Sequence, residues 1–155
     1  MTIPTLVALL LAMQASPGSA LERFFVGRTQ GSGTVHVIIS GRHAVNDRST
    51  GRMDGNTLVL DQTVEEEGKP ARRRVWRLTR SGSNGVSGTI SDARGRVTGD
   101  ISGNTLHLRY RLTEGPSVEQ WITLQAGGRS ARNRMEFHRW GVHVATVQTT
   151  IRRTD

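Results

Sequence analysis

TLHLRYRL, residues 105–112, is the stretch that decides the class of fold. Leu106, Leu108 and Tyr110 alternate along it with polar and charged residues such as His107 and Arg109. Side chains two positions apart in a β-strand lie on the same face, so this stretch has one apolar face and one polar face. The alternation predicts a strand that packs its apolar face on a core and turns the other face to water.

Short alternating runs of the same kind extend in both directions from this strand. Residues 34–40 (TVHVIIS), 57–65 (TLVLDQTVE) and 72–80 (RRRVWRLTR) are examples, and the 18 glycines recur between such runs. About eight to ten strands joined by short turns favour an all-β, antiparallel, up-and-down barrel. Residues 21–25 (LERFF) predict one helical turn that plugs an end of this barrel.

Two segments of the chain resemble each other. Residues 51–60 read GRMDGNTLVL, and residues 99–108, which begin 48 positions later, read GDISGNTLHL. The Gly-Asn pair in each predicts a tight hairpin with residues at positive φ. This similarity is consistent with either an old duplication or two independent uses of the same hairpin chemistry. We interpret five turn residues as structural: Asp54, Gly55, Asp92, Gly103 and Asn104.

The N-terminal residues have the features of a secretory signal. Residues 3–13 form an uncharged apolar run, and small residues precede a cleavage position predicted after Ala20. The run is shorter than the roughly 18–20 residues that a spanning helix needs. We therefore expect a signal peptide over residues 1–20, a single barrel domain over residues 21–155, and export to the periplasm or the medium. The chain contains no cysteine, so core packing holds it together without disulfides.

The charge of the chain is strongly positive and carried by arginine. The net charge is +8, and because Lys69 is the only lysine, 20 of the 21 basic residues are arginines. Arginine suits bidentate contacts with carboxylate or phosphate, which indicates an anionic partner. The arginines are scattered through most of the predicted strands, which fits a solvated face equally well.

Several kinds of site are disfavoured by the sequence. It has no G-x-S-x-G nucleophile elbow, and its five histidines include no His-x-His pair that would put two ligands on one strand face. We predict no metal and no cofactor. Nucleic acid is not an expected partner, because the chain has only seven Phe, Trp and Tyr residues and five of them fall where core packing would use them: Phe24, Phe25, Trp76, Tyr110 and Trp121.

The barrel interior is the remaining candidate site. Arg74 shares a strand face with Trp76, so it must find a partner inside an apolar barrel. That partner is either a ligand carboxylate or phosphate, or a structural acid such as Asp54 or Asp92. We take Arg74, Trp76, Arg109 and Tyr110 as candidate ligand-binding residues and predict no catalytic residue.

The order and spacing of these segments resemble a family of exported bacterial proteins known as domain of unknown function 3833, which looks lipocalin-like. The resemblance rests on residues 21–33, 53–61, 72–78 and 88–110, and on Asn133-Arg134 before the last strand. It implies a lipocalin-like (calycin-type) barrel in the cell envelope. Relatives are often encoded beside fatty-acid-modifying enzymes, which implies an acyl ligand.

The sequence also departs from the family pattern. Members usually have Trp at the place of Met53, and an Asp-Asp-Trp-Met segment where this chain has Glu119-Gln120-Trp121-Ile122. Members also usually have a lysine shortly after the Asn-Arg pair. In this chain the corresponding place is near His138-Arg139. If the paired aspartates serve an activity, this chain has altered it.

Three functions remain open. The first is a barrel that binds a fatty acid or lipid, soluble after signal cleavage or peripherally associated with the envelope. The second is a barrel-type isomerase or cyclase acting on a lipid-like substrate, which predicts a pocket with a titratable group of displaced pKa. The third is an arginine-rich module for envelope polyanions. The sequence does not indicate which oligomeric state the protein adopts.

Overall fold

The computed structural model describes residues 19–155, which form one short helix and ten strands. The helix, α1, covers Ser19–Phe25. The strands are β1 (Gly27–Val37), β2 (Gly41–Asp54), β3 (Thr57–Glu66), β4 (Arg72–Ser81), β5 (Gly85–Ile90), β6 (Ala93–Ser102), β7 (Thr105–Leu112), β8 (Ser117–Leu124), β9 (Ser130–Arg139) and β10 (Val142–Arg153).

The ten strands close into a barrel. Each strand pairs antiparallel with the next one in sequence, and β1 pairs with β10 to complete the ring. Closure removes the unpaired edges that an open meander would expose. The structure confirms the predicted all-β, antiparallel, up-and-down barrel.

The alternation in the sequence corresponds to the inside and outside of the barrel. In β7, Leu106, Leu108 and Tyr110 are buried, whereas Arg109 and Arg111 are exposed. Arg74 and Trp76 on β4 are both buried, as expected for residues that share a face. The inward side chains of β3–β10 merge with α1 into one apolar core.

Helix α1 closes one end of the barrel, as residues 21–25 predicted. Leu21, Phe24 and Phe25 are buried in the core. The helix approaches β2 very closely at Gly51, because a Cβ there would lie 1.8 Å from the carbonyl oxygen of Phe25. Glycine at this position lets the plug sit directly on the barrel wall.

The two repeated Gly-Asn pairs form equivalent hairpin turns beside the plug. Asp54 faces Thr57 and Ser102 faces Thr105, so each loop has two residues. Gly55 and Gly103 both have φ of 59°. The prediction that the asparagines share the positive φ is wrong, because Trp140 is the only described non-glycine residue with positive φ. A glycine at the first loop position alone is the pattern of a type II′ turn, which suits the twist of a hairpin.

The opposite end of the barrel corrects another expectation. The apolar run at residues 34–40 predicted a strand to Ser40, but β1 ends at Val37 and the chain turns through Ile38 and Ile39. The chain reverses here because Val37 pairs with Gly41, which leaves only residues 38–40 for the turn between β1 and β2.

The predicted signal peptide lies almost entirely in residues 1–18, outside the described residues, and its predicted last residue, Ala20, is in α1. Within residues 19–155, no helix has the length and apolar character required to cross a bilayer.

Candidate functional site

A cavity of about 520 Å³ occupies the barrel interior. It extends from Phe25 of the plug to the loops at the other end, where Lys69, Glu114 and Pro116 line its mouth. We call the end covered by α1 the plugged end and the end bearing this mouth the open end. The volume falls in the range of about 300–1,000 Å³ that is usual for small-molecule sites.

Most of the cavity wall is apolar. Leucine and isoleucine side chains surround its deep part, and valines with Phe137 surround the part nearer the mouth. The apolar lining side chains include Leu58, Leu60, Leu78, Leu106, Leu108, Ile122 and Ile151 in the first group, and Val35, Val37, Val45, Val64 and Val147 in the second. A molecule inside the cavity would therefore bury apolar surface over most of its length.

A chain of hydrogen bonds crosses one side of the interior. The Tyr110 hydroxyl donates to Gln120 Oε1 at 2.8 Å, and Gln120 Nε2 donates to Asn133 Oδ1 at 2.8 Å. Asn133 Nδ2 donates to Thr149 Oγ1 at 3.1 Å. The three bonds join four strands and satisfy groups that would be costly to bury alone. Gln120, Asn133 and Thr149 line the cavity, while Tyr110 lies behind this wall and has its pKa raised by burial.

Arg74 stands in the cavity wall with a partner of its own. Its Nε lies 3.0 Å from Asp92 Oδ1 and 2.9 Å from Asp92 Oδ2. Its guanidinium carbon is 5.0 Å from the centre of the Trp76 ring, in cation–π range. Asp92, one of the two acids that the sequence suggested, thus holds Arg74, whereas Asp54 lies outside beside Arg77 at 3.3 Å.

Asp47 is a cavity residue that sequence reasoning missed. It projects from β2 into the cavity, near Gln62 and Arg74. Burial raises the pKa of its carboxyl, and this effect exceeds the opposing effects of a hydrogen bond with Gln62 and the charge of Arg74. Gln62 also accepts a 2.9 Å hydrogen bond from Trp76 Nε1. The sequence signal that could have found Asp47 is its position two residues after Val45, which puts both side chains on the inward face of the same strand.

The mouth is lined by side chains of both charges, including Glu66, Glu114 and three basic residues. Lys69, Arg72 and Arg139 line it, and Lys69 pairs with Glu66 at 3.1 Å. Arg139 donates to the carbonyl of Glu114 at 3.3 Å. Among the described residues, neither Arg72 nor Arg139 has a carboxylate within ion-pair distance, so both cations remain available to an anion at the mouth.

Arg109 does not belong to this site, which corrects our expectation. It follows Leu108 and precedes Tyr110 in β7, so the alternation that turns those residues inward turns Arg109 outward. Its Nε lies 3.7 Å from Glu119, beside the stacked rings of His107 and Trp121. Other outer arginines, including Arg48, Arg73, Arg77 and Arg134, also pair with carboxylates.

The residues interpreted as structural turns are divided between two places. Asp54, Gly55, Gly103 and Asn104 lie at the plugged end, where Asn104 Nδ2 donates to the Leu124 carbonyl at 2.8 Å. Asp92 instead joins the cavity wall through Arg74. In the described part of the chain, no three His, Asp or Glu side chains come together as a metal site would require.

The protein therefore belongs to the class of closed antiparallel β-barrels that have an internal cavity open at one end. The chain is a member of the family "Protein of unknown function (DUF3833)", whose model matches residues 9–153. This confirms the resemblance found in the sequence. A search of the curated proteins found no match.

Solved structures share the fold. The S-type phycobiliprotein lyase CPES from Guillardia theta has a TM-score of 0.71 and 12% identity, covering 88% of this chain and 92% of its own. Rv2717c from M. tuberculosis has a TM-score of 0.66 and 12% identity, covering 91% of this chain and 99% of its own. At this identity the likeness establishes the lipocalin-like barrel alone.

Proposed function

We propose that the protein binds a small amphipathic molecule in the barrel, with a fatty acid or related lipid as the class that fits best. The observation that carries this proposal is the cavity of about 520 Å³, whose walls are mostly apolar and whose mouth holds two arginines without a carboxylate partner among the described residues. An acyl chain would bury its length against the leucines and valines and would gain roughly 0.8 kcal/mol for each methylene removed from water.

The position of the cations favours an acid group at the mouth. Arg72 and Arg139 line the mouth without a carboxylate partner in the described part of the chain, whereas Arg74 is held by Asp92. A ligand carboxylate at Arg74 would place a second anion beside Asp92, which already compensates the charge of this arginine. At the mouth it would meet arginines that can form charge-assisted hydrogen bonds without breaking an existing pair.

One buried group offers a further contact for the ligand. Thr29 is 2% exposed and lines the cavity. Its hydroxyl is the single buried side-chain polar atom without a hydrogen-bond partner in the part of the chain that the structure describes. A hydroxyl or other polar substituent on the ligand would satisfy it.

Native mass spectrometry tests this proposal. Protein purified without detergent is measured alone and after addition of a long-chain fatty acid, its alcohol or its methyl ester. For the wild type we expect a 1:1 adduct with the acid. The double variant Arg72→Gln/Arg139→Gln should lose this adduct at least tenfold more readily. Arg109→Gln on the outer face is the matched control and should keep the adduct as the wild type does. Absence of a stoichiometric adduct with all three probes would contradict the proposal.

A second candidate, a barrel-type isomerase or cyclase for a lipid-like substrate, is favoured by one observation. Asp47 lines the cavity, and burial raises the pKa of its carboxyl. Such a group can exchange a proton with a bound substrate closer to neutral pH than an ordinary aspartate can. Recovery of a lipid adduct with changed mass or changed fragmentation, lost in Asp47→Asn, would support this candidate over simple binding.

An envelope location forms part of the proposal. The uncharged run at residues 3–13 and the small residues before position 21 support it. Expression of the full chain in a bacterial host, followed by N-terminal sequencing of the periplasmic fraction, is expected to find Leu21 as the first residue. An intact N-terminus in the cytoplasm would contradict this location.

A further inference from the structure

Exposed apolar side chains are concentrated at one side of the open end. Five large hydrophobic side chains are exposed among the described residues, and Met53 is the one that lies near the plugged end. The other four form what we call the apolar lip: Ile38 (54% exposed), Ile39 (94%), Trp140 (95%) and Val142 (62%). Single exposed hydrophobics are ordinary, but a cluster of four at a cavity mouth is not.

The lip is continuous although it comes from the two ends of the chain. Ile38 and Ile39 form the tip between β1 and β2, and Trp140 forms the tip between β9 and β10. These tips are neighbours because β1 pairs with β10, and the Ile38 amide donates to the Val144 carbonyl at 3.0 Å. Residues just below the lip, including Val37 and Ala145, line the cavity. The lip is therefore the outer edge of the cavity wall.

The backbone at Trp140 adds a second observation. Trp140 has φ of 47° and Gly141 has φ of 76°, in a two-residue turn between Arg139 and Val142. Such turns favour Asn-Gly, because a bulky side chain rarely adopts a left-handed conformation. A tryptophan in this conformation, with almost its whole side chain in water, does not serve the stability of the fold. A contact outside the molecule explains it better.

The charge around the lip indicates the nature of that contact. Residues 36–42 and 138–144 contain no Asp or Glu, and they contain Arg42, Arg139 and three histidines. Apolar side chains flanked by arginine, with tryptophan at the apex, are the combination that binds the interface of an anionic bilayer. Of the acidic residues at the open end, Glu66 is the last residue of β3 and pairs with Lys69, and Glu114 lies in the loop between β7 and β8.

We propose that the apolar lip inserts into the headgroup region of a bilayer that contains anionic lipid, and that it holds the cavity mouth against the membrane. A lipid could then pass between bilayer and cavity along Val37 and Ala145 without crossing water. The docking itself does not require the cavity to bind a ligand, so it stands or fails separately from the proposed function.

Vesicle flotation tests the proposal with the protein in its ligand-free form. We expect the protein to float with vesicles that contain phosphatidylglycerol, more weakly with pure phosphatidylcholine vesicles, and more weakly as salt rises, since salt screens the arginines. Trp140→Asn and Ile39→Ser should each lower the partition coefficient at least tenfold. Asparagine tolerates positive φ, so Trp140→Asn removes the ring without disturbing the turn.

Met53→Ser is the matched control, because it removes an exposed apolar side chain at the plugged end. It should leave flotation unchanged. Equal flotation of the lip variants and the wild type would overturn the proposal, as would no flotation with either kind of vesicle. A concentration-dependent dimer that the lip variants abolish, in place of flotation, would assign the lip to a second copy of the chain and would also overturn it.

Discussion

Large aromatic side chains lie at both ends of the barrel, but in opposite environments. At the plugged end, Phe24 is 2% exposed beneath a helix that rests directly on β2 at Gly51. At the open end, Trp140 is 95% exposed, and the cavity reaches the surface beside it. One plug is enough to complete the core, and the cavity opens to the surface at the other end.

The largest expected effect is at the plugged end. Phe24→Ala opens a hole where the helix meets the barrel, and we expect it to lower the free energy of unfolding by about 3–5 kcal/mol. Ile39→Ser at the open end should change it by no more than about 0.5 kcal/mol, because its side chain is already in water. Urea unfolding measures both values. Similar losses at the two ends would break the comparison.

A smaller effect is expected between the ends, at the Arg74–Asp92 pair. The Arg74 side chain is 7% exposed and that of Asp92 is 34% exposed, so loss of either partner has different consequences. Asp92→Asn leaves a buried cation without its counter-charge and should cost about 3 kcal/mol. Arg74→Met removes the buried charge and leaves a carboxylate that water can reach, so it should cost about 1 kcal/mol. The reverse order in urea unfolding would mean that Arg74 reaches water through the cavity.

The smallest effect concerns Asp47. Since burial raises its pKa, the folded protein keeps this proton at pH values where the unfolded chain has lost it. The contribution of Asp47 to stability therefore falls as the pH rises from the ordinary carboxyl range through the raised pKa. Asp47→Asn should be more stable than the wild type at about pH 7, and the difference should vanish near pH 3, where aspartate is protonated in both states.

Urea midpoints at the two pH values check this prediction. A variant that is less stable than the wild type at neutral pH would show that Asp47 forms a net favourable interaction as an anion.

The strand pattern of the sequence predicted the barrel correctly. The alternation of residues 105–112 located an inward face, and the same reasoning on β4 put Arg74 and Trp76 inside. Period-two patterns carry this information because one register fixes every side chain of a strand. Arg109 was misplaced because it was chosen for its charge, against the alternation that put Tyr110 inside.

The site was only partly accessible to sequence reasoning. Arg74, Trp76, Tyr110 and Asp92 were named. Gln120, Asn133 and Thr149, which continue the hydrogen-bond chain from Tyr110, were not, because they lie on separate strands that meet only when the barrel forms. The apolar lip was missed for the same reason. It joins residues near both ends of the chain, and the apolar run at 34–40 looked like a continued strand.

The central claim, that the cavity is the binding site, is tested most directly by blocking it. Val147 lines the cavity and its neighbour Gln148 is exposed on the outside of the same strand. Uptake of a fluorescent fatty acid would be titrated for the wild type, Val147→Trp and Gln148→Trp, with circular dichroism to establish that each variant is folded. We expect Val147→Trp to weaken binding at least tenfold and Gln148→Trp to leave it unchanged. Undiminished binding by a folded Val147→Trp barrel would contradict the account.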